Sequence, residues 1–496
     1  MQLKELASLL MVRRVVGDES IELTGIQTDS RKVAPGDLFI CITGLSVDGH
    51  KFAEAAIGLG AAALIVEREL DVPVPQLIVK DSRYAMAVVA SHFYGYPSRE
   101  LKVIGVTGTN GKTTTSYLLE KILRDQGHTT GLMGNIHIKV GDEFLVNHST
   151  NTQEALELQR ILRRMRDVGT EYCIMEVSSH GLALGRVKGT QFRTGIFTNL
   201  TQDHLDYHGT MEKYQAAKAL LFSRMGNGFS AKPEERAFAV LNADDAATAD
   251  FAEQTAAQVI TYGIERQADV RAENIRVTAK GTEFRCVTFA GTTDFAMKLV
   301  GEFNVYNSLG AIAAALAEGI ELERIKESLE GVASVEGRME IVDEGQPFLV
   351  LVDYAHTPDG LENALATIRQ FAEGRVISVF GCGGDRDRRK RPLMGQVTAK
   401  YSDYLLVTSD NPRTEEPQQI LEDIVPGIRE AGFDEDSYEL VVDRREAIHK
   451  AIRLAGPKDI VLIAGKGHET YQEIMGRKID FDDRLVAKDA IRGRSI

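Results

Sequence analysis

The segment Gly108-Thr-Asn-Gly-Lys-Thr-Thr114 has the residue types of a phosphate-binding loop. It lies between a predicted strand and a predicted helix, where backbone N–H groups and the helix N-terminus can bind phosphate oxygens. Lys112 would neutralise the β- and γ-phosphate oxygens, and Thr113 would hold Mg²⁺. Because Val106 replaces the first glycine of the longer G-x-x-x-x-G-K-[ST] motif, the segment indicates only nucleotide triphosphate binding, and a purely structural turn is the alternative.

Three other residues could take part in metal chemistry. Glu176 ends a predicted strand and is either a Mg²⁺ ligand or an ordinary strand-end acid. His204 and His208 lie four residues apart, a spacing that would suit a zinc site on a helix. The sequence offers no obvious third zinc ligand, and solvated histidines after a capping Asp203 are the alternative.

Lys218 lies within the apolar stretch YQAAKALLF, which predicts a helix. A lysine in such a helix usually extends its ammonium group to solvent. If Lys218 were buried instead, its pKa would fall and the neutral amine could react, for instance with CO₂. The residues alone favour the exposed side chain.

Two segments of the last third of the chain could bind a charged small molecule. In Asp410-Asn-Pro-Arg413, Arg413 could pair with the carboxylate of an amino acid and Asp410 with its ammonium group. An Asx turn with a surface arginine is the alternative. The segment GCGGDRDRRKR, residues 381–391, indicates a solvated surface or a nucleic-acid patch, although Asp385 and Asp387 weaken the second interpretation.

These segments follow predicted strands directly. We predict strands at 37–42, 62–66, 101–107, 172–177, 195–198, 237–241, 348–352, 376–380, 405–408 and 461–464, and helices at 53–59 and 112–126. Apolar strands that alternate with helices indicate an α/β fold with parallel sheets. Ligands of such sheets bind outside the carboxyl ends of the strands, so we expect one site shared across a cleft between two domains.

Length and composition limit the class of protein. A chain of 496 residues predicts about three domains. Apolar residues make up 43% and charged residues 26%, which excludes a disordered, collagen-like or membrane-integral chain. Turn-rich segments near 94–98 and 331–337 give predicted domains at 1–98, 99–332 and 333–496.

Charge and cysteine content indicate a cytoplasmic protein. The net charge of −14 argues against a general nucleic-acid coat. The four cysteines are scattered, without a C-x-x-C pair, which fits a reducing compartment. The N-terminal MQLKELASLLMVRRVV predicts an amphipathic helix and not a signal peptide.

The motifs, taken together and in this order, resemble those of the ATP-dependent Mur ligase family of peptidoglycan precursor synthesis. The resemblance runs from about Asp29 to Glu469. It is carried by TGTNGKTT, MEVSSHGL, NLTQDHLDYHG, YQAAKALLF, GEFNVYNSLGA, EGRME, DYAHTPD, GCGGDRD, SDNPR and AGKGHE. Within the family, DNPR resembles the branch that adds meso-diaminopimelate to UDP-N-acetylmuramoyl-L-alanyl-D-glutamate.

The resemblance implies a small N-terminal α/β UDP-binding domain, a central P-loop ATPase-like domain and a C-terminal Rossmann-like domain that receives the amino acid. It implies an ADP-forming ligase that works through an acyl phosphate and uses ATP and Mg²⁺. The implied partners are small molecules, without nucleic acid or membrane insertion, and the implied state is a monomer.

The resemblance also implies site residues. The implied catalytic residues are Lys112, Glu176, His204 and Lys218. The implied ATP contacts are Gly108, Thr109, Asn110, Gly111, Lys112, Thr113, Thr114, Asn304, Arg338 and Asp353. The implied contacts of the UDP-substrate are Ser30, Leu45, Ser46, Val47, Asn151, Thr152, Ser178, Leu184 and Arg186. The implied diaminopimelate contacts are Arg386, Asp410, Asn411, Pro412, Arg413, Gly465 and Glu469.

The resemblance also implies two Mg²⁺ sites, a change in a substrate contact and two candidates for a general base. Thr113 and Glu176 would bind one Mg²⁺, and His204 with Lys218, carbamylated by CO₂, would bind a second. Leu184 stands where relatives often carry glutamine, so a hydrogen bond to the substrate is lost or supplied elsewhere. His204 or His356 could deprotonate the amine, and neither is assigned as the base.

Three alternatives remain open from the sequence. The first is another ligase of the superfamily, either lysine-adding or folylpolyglutamate synthetase-like; DNPR argues against lysine and the N-terminal domain against folate. The second is a P-loop binding or scaffold protein, against which the set Lys112, Glu176, His204 and Lys218 argues. The third is nucleic-acid binding through residues 386–391.

Overall fold

The first part of the chain folds around a five-stranded sheet. The computed structural model describes residues 1–44, 47–145, 151–230, 232–278 and 280–494. The strands run in the order β1-β5-β4-β3-β2, and all neighbours are parallel except β1 and β5. The elements are α1 (Leu3–Ser8), β1 (Arg13–Val16), β2 (Gly25–Gln27), β3 (Asp37–Ile40), α2 (Ala53–Gly58), β4 (Ala63–Val66), β5 (Gln76–Val79) and α3 (Ser82–Phe93).

The prediction of one helix at the N-terminus is wrong in its second half. The helix α1 ends at Ser8, and Arg13–Val16 forms β1 instead. Leu3 and Leu6 are fully buried on one face of α1. Val15 and Val16 carry branched side chains that favour an extended backbone, and they pair with β5.

The middle of the chain forms an eleven-stranded sheet in the order β16-β15-β14-β13-β12-β11-β6-β10-β7-β8-β9. Its strands are β6 (Lys102–Thr107), β7 (Thr130–Met133), β8 (Ile138–Val140), β9 (Glu143–Leu145), β10 (Tyr172–Glu176), β11 (Thr194–Phe197), β12 (Phe238–Asn242), β13 (Gln258–Gly263), β14 (Val270–Thr278), β15 (Gly281–Thr288) and β16 (Gly291–Met297). Its helices are α4 (Lys112–Asp125), α5 (Ala155–Asp167), α6 (Ser179–Ala183), α7 (Leu205–His208), α8 (Met211–Phe222), α9 (Thr248–Gln254), α10 (Glu302–Ala317) and α11 (Leu322–Glu330).

The central strands of this sheet are apolar because helices cover both of their faces. Ile104 and Val106 pack with residues of α4 and α10 on one face. Val103 packs with residues of α5 and α8 on the other face. Strands buried on both sides read as continuous apolar runs, which is why they could be located from the sequence.

The last part of the chain forms a six-stranded sheet, in the order β17-β18-β22-β19-β20-β21, and a separate hairpin. The strands are β17 (Glu340–Ile341), β18 (Leu349–Asp353), β19 (Val376–Phe380), β20 (Tyr404–Thr408), β21 (Tyr438–Val441), β22 (Ile460–Ala464), β23 (Tyr471–Ile474) and β24 (Arg477–Asp480). The helices are α12 (Pro358–Phe371), α13 (Lys390–Tyr401), α14 (Pro417–Glu430), α15 (Arg444–Leu454) and α16 (Asp483–Arg492).

The predicted α/β fold with parallel sheets is confirmed. The predicted strand at 376–380 has the observed bounds, and the other predicted strands differ by one or two residues at one or both ends. The antiparallel strands at both ends of the central sheet were not predicted. Among the described residues, no helix combines the length and apolarity needed to cross a bilayer.

Candidate active site

A cavity of about 1050 Å³ lies where the carboxyl ends of the central strands face the C-terminal sheet. The phosphate loop, residues 108–111, follows β6 and leads into α4 at this cavity. Gly108 and Gly111 have φ angles of 148° and 85°. A Cβ atom on Gly108 would lie 1.8 Å from Thr198 Oγ1, and one on Gly111 would lie 2.2 Å from Asn307 Oδ1. Only glycine fits at either position, so the loop can make its tight turn into α4, and the backbone N–H groups of Thr109 and Asn110 donate to Asn199 O and Oδ1.

Glu176 and Thr113 lie side by side at the start of α4. Thr113 Oγ1 donates a hydrogen bond of 2.9 Å to Glu176 Oε1. The backbone N–H of Asn135 donates to the same oxygen at 3.0 Å. Arg338, from the C-terminal part of the chain, donates from Nη2 to Thr113 Oγ1 at 3.1 Å. The cavity therefore has a hydroxyl, a carboxylate and a guanidinium group at one point.

Lys218 is buried, with 1% of its surface exposed, contrary to the expectation from the residues alone. Its Nζ donates to Gly108 O at 2.7 Å and lies 4.4 Å from the ring centroid of Tyr214. Burial, and then the charge of Lys112, hold the pKa of Lys218 well below its usual range. Lys112 Nζ donates to Gly108 O at 2.9 Å and to Thr109 O at 2.7 Å. Both lysines thus meet at one carbonyl oxygen of the phosphate loop.

A cluster of histidines borders this region. His204 has a φ angle of 55° and precedes α7. Its Nε2 lies 3.3 Å from Asp203 Oδ2. The ring of His180 lies 4.8 Å from that of His204, centroid to centroid. The Nε2 of His208 makes a 2.9 Å hydrogen bond with Ser179 Oγ, so His208 is occupied by a neighbour in the protein.

The described residues include no group of three His, Cys, Asp or Glu side chains placed to hold a metal ion by themselves. The zinc interpretation of His204 and His208 therefore has no third ligand. Mg²⁺ at phosphate sites needs only one or two protein ligands, because phosphates and water supply the others. The adjacent oxygens of Thr113 and Glu176 fit that requirement.

The residues outside the phosphate loop that were expected to contact ATP differ in whether they line the cavity. Asp353 is buried, which raises its pKa, and its carboxylate accepts hydrogen bonds of 2.7 Å from the N–H groups of Met339 and Ala355. Asp353 lines the cavity. Asn304 Nδ2 donates to Val300 O, and Asn304 Oδ1 accepts from Asn307 Nδ2. Asn307 lines the cavity, whereas Asn304 lies outside its lining.

The residues expected to contact the UDP-substrate fall into two groups. Thr152 Oγ1 lies 3.0 Å from Ser178 Oγ, and Arg186 Nη1 donates to Thr152 O at 3.0 Å. The residues of this group that line the cavity are Asn151, Ser178 and Arg186, whereas Leu184 is half-buried outside its lining. Ser30 and Val47 belong to the first part of the chain, also outside the lining, and Leu45 and Ser46 fall outside the described residues.

Arg413 follows β20 and reaches the cavity from the C-terminal sheet. Its φ angle is 53°, and its Nη1 donates to Gly384 O at 2.7 Å. Arg386 and Glu469 line the same side of the cavity. Asp410, Asn411, Pro412 and Gly465 lie behind this surface: a Cβ atom on Gly465 would lie 2.4 Å from Asp410 Oδ2.

The basic run 386–391 is largely neutralised within the protein. Arg388 and Arg391 pair with Glu415 at 2.6 and 2.8 Å, and Arg389 pairs with Asp387 at 3.0 Å. Nucleic-acid binding needs basic groups that are free for phosphates. The described contacts leave little of this run for such a surface.

Several cavity residues were not singled out from the sequence, although they lie inside motifs that were. Asn110 N donates to Asn199 Oδ1 at 2.9 Å, and the Asn110 side chain donates to Asp359. Asp359 belongs to DYAHTPD, and Asn199 belongs to NLTQDHLDYHG. A motif locates a loop, but which of its side chains faces a neighbour depends on the tertiary packing.

Family models and solved structures agree with the resemblance. The models match at residues 22–94 (Mur ligase family, catalytic domain), 106–315 (Mur ligase middle domain) and 337–467 (Mur ligase, glutamate ligase domain). Similar proteins include the UDP-N-acetylmuramoyl-L-alanyl-D-glutamate--2,6-diaminopimelate ligases of Halalkalibacterium halodurans (52% identical, 97% of each chain covered) and Bacillus cereus (51% identical, 100% of this chain and 99% of that one). A solved structure of a ligase with this name has a TM-score of 0.68 at 34% identity and covers 100% of this chain and 99% of its own. The chain belongs to the Mur ligase family.

Proposed function

We propose that this chain is an ATP-dependent amide-bond ligase that adds meso-diaminopimelate to UDP-N-acetylmuramoyl-L-alanyl-D-glutamate during peptidoglycan precursor synthesis. The name of the two relatives, each about half identical over nearly its full length, supports this substrate pair. One observation carries the proposal: the cavity lining joins Lys112, Thr113 and Glu176 of the central sheet to Arg413 and Glu469 of the C-terminal sheet.

Three substrates are assigned to three domains, residues 1–98, 99–332 and 333–496. Ser30 and the segment 45–47 would hold the uridine nucleotide. Residues 108–114 would hold the phosphates of ATP, and Asp353 its ribose. Arg413 would pair with the carboxylate at the far end of diaminopimelate, and Asp410 or Glu469 with the ammonium group there.

The reaction needs an activated carboxylate because a free carboxylate does not react with an amine at neutral pH. Transfer of the γ-phosphoryl group of ATP to the glutamate carboxylate gives an acyl phosphate and ADP. The amine then attacks the acyl carbon, a tetrahedral intermediate forms, and its collapse releases phosphate. Lys112 and Arg338 would neutralise charge on the moving phosphoryl group. The position of the cavity between two sheets would limit hydrolysis of the acyl phosphate by water.

Thr113 and Glu176 would hold Mg²⁺, and His204 with a carbamate on Lys218 would hold a second ion. Bound Mg²⁺ would stabilise negative charge on the transferred group. The neutral amine that the lowered pKa of Lys218 favours can add to CO₂, and the product is a carbamate and a proton. Neutral Lys218 beside Lys112 also avoids placing two cations at Gly108 O.

We further propose that the enzyme acts as a cytoplasmic monomer on small molecules. The four cysteines are buried and unpaired, as expected for a reducing compartment. Its substrates would be UDP-muramoyl-dipeptide, diaminopimelate and ATP.

Phosphate release from ATP in the presence of Mg²⁺ and the UDP-dipeptide tests the proposal. We expect release with meso-diaminopimelate and only background release with L-lysine or without an amino acid. Release with L-lysine would keep the ligase mechanism and contradict the substrate assignment. If no phosphate is released with either amino acid, the assay would be repeated with added bicarbonate, which supplies CO₂ for the carbamate on Lys218. Continued failure would contradict the ligase proposal.

A further inference from the structure

The buried lysine Lys466 lies behind the amino-acid side of the cavity and takes no part in the proposed chemistry. Its side chain is fully buried. It belongs to the loop that follows β22, next to Gly465. A buried ammonium group is costly unless its hydrogen bonds and charge are compensated, so its partners indicate what it does.

The partners of Lys466 are two of the residues assigned to diaminopimelate. Its Nζ donates to Glu469 Oε2 at 2.9 Å and to Asn411 Oδ1 at 3.2 Å. Asn411 Nδ2 in turn donates to the same Glu469 oxygen at 2.8 Å. Asn411 and Glu469 come from the loops after β20 and β22, so one ammonium group ties two different loops together.

These contacts fix the orientation of both partners. Asn411 Oδ1 also accepts from the backbone N–H of Glu473 at 2.9 Å, which leaves its amide one orientation that satisfies all neighbours. Glu469 Oε2 is occupied by two donors from the protein, whereas its side chain still lines the cavity. The other carboxylate oxygen, Oε1, is therefore the acceptor available to a ligand.

Charged groups of both signs lie at the amino-acid end of the cavity. The cations there are Arg386, Arg413, Lys478 and the buried Lys466, and the anions are Asp410, Glu469 and Glu473. The far end of an α-amino acid such as diaminopimelate carries one positive and one negative charge. Arg413 and Glu469 offer one charge of each sign to such a zwitterion, and loss of Lys466 would remove the positive charge that pairs with Glu469.

We propose that Lys466 is a positioning residue for the amino-acid substrate. It acts through Asn411 and Glu469, whose hydrogen-bonding groups it holds toward the ammonium end of the ligand. This inference rests on the proposed function, since it assumes that an amino acid binds at Arg413 and Glu469.

The test is steady-state kinetics of Lys466→Met, which keeps the length of the side chain and removes its charge. We expect the KM for meso-diaminopimelate to rise about 10- to 100-fold, as for loss of a buried charged partner. The KM values for ATP and the UDP-dipeptide should stay within about threefold, because those sites lack contact with Lys466. Lys400→Met, on the exposed face of α13, is the matched control and should leave all three values unchanged.

A double-mutant cycle separates positioning from a general structural role. If Lys466 acts through Glu469, adding Lys466→Met to Glu469→Gln should raise the KM for diaminopimelate much less than it does in the parent enzyme. Full additivity, an unchanged KM in Lys466→Met, or equal increases in all three KM values would each overturn the inference. A parent enzyme that is inactive with diaminopimelate would instead contradict the proposed function, so the two failures are distinguishable.

Discussion

At the scale of single residues, burial decides chemistry that residue type leaves open. The apolar helix α8 predicts an exposed ammonium group for Lys218, because most lysines in such helices reach solvent. The structure turns Lys218 inward, onto Gly108 O of the phosphate loop, and its pKa falls. The contact that holds Lys218 inside the protein joins it to Gly108, 110 residues away along the chain, so the residues around Lys218 cannot predict it.

Replacing Lys218 tests its assigned role. Lys218→Met keeps the apolar part of the side chain and removes the amine that would carry the carbamate. We expect kcat to fall by about 100-fold or more, as for loss of an electrostatic transition-state contact. The KM for meso-diaminopimelate should change little. A kcat within about threefold of the parent value would contradict the role of Lys218.

The variant Gly465→Ala tests whether Asp410 depends on its close contact with the loop after β22. Gly465→Ala would place a methyl group 2.4 Å from Asp410 Oδ2, at a φ angle of 117°. We expect the free energy of unfolding to fall by about 1–3 kcal/mol from backbone strain, and the KM for diaminopimelate to rise.

The control for this substitution is Gly476→Ala, at a φ angle of 71° with no atom within 4 Å of the added Cβ. Its positive φ angle lies at the edge of the left-handed region that other residues can enter, and the added Cβ meets no clash. The two variants should therefore differ in KM, and equal KM values would show that Asp410 does not depend on this contact.

At the scale of elements, buried ion pairs fix the loops that carry the site. Arg444 at the start of α15 pairs with Asp483 at the start of α16 at 2.7 Å, and both side chains are fully buried. Arg444 also donates to Ala464 O at 2.9 Å, directly before Gly465. The pair thus joins two helices to the end of β22.

Asp483→Asn keeps the shape of this side chain and removes its charge. We expect the free energy of unfolding to fall by about 3–5 kcal/mol, because Arg444 would remain buried without its counter-charge. Urea denaturation measures the change. Glu344→Gln, whose partner Arg492 is exposed, is the control and should cost about 0–1 kcal/mol. Similar losses of unfolding free energy in the two variants would contradict the expectation that breaking a buried ion pair costs more than breaking an exposed one.

The elements also show what the sequence predicts well. Most strands that are buried on both faces, such as β19, were placed from their apolar runs, although the buried strand β7 was missed. The polar motifs after the predicted strands do converge on one cavity. The antiparallel strands β14, β15 and β16 were missed because their residues alternate between buried and exposed, which gives weaker signals than a continuous apolar run. The contacts of Asp359 and Lys466 were missed because they join residues distant in the chain.

At the scale of the whole molecule, contacts between the central and C-terminal sheets enclose the cavity. Glu336 Oε2 lies 3.1 Å from His137 Nε2, and Glu336 Oε1 accepts from Arg484 at 2.6 Å. The hydrogen bond with His137 and the contact with Arg484 lower the pKa of Glu336 to about 2, against the opposing effect of burial. The ionised carboxylate therefore links the two parts of the molecule.

This link predicts a pH dependence of stability. The pKa of Glu336 is lower in the folded state than in the unfolded chain, so the contact stabilises the fold above the unfolded value of 4.5 and loses that effect as pH falls toward about 2. The urea midpoint of Glu336→Gln should lie below that of the parent at pH values above 4.5, and the difference should narrow as the pH falls from 4.5 toward 2. A difference that is independent of pH would contradict an ionic contact.

An ¹⁸O label tests most directly whether ATP activates the glutamate carboxylate. The UDP-dipeptide is labelled with ¹⁸O in its glutamate carboxylates and incubated with ATP, Mg²⁺ and meso-diaminopimelate. We expect one ¹⁸O atom in each phosphate released. For each phosphate we expect one product molecule, heavier than the labelled UDP-dipeptide by diaminopimelate minus one H₂¹⁸O. Phosphate without ¹⁸O would contradict activation of the carboxylate by ATP at this cavity.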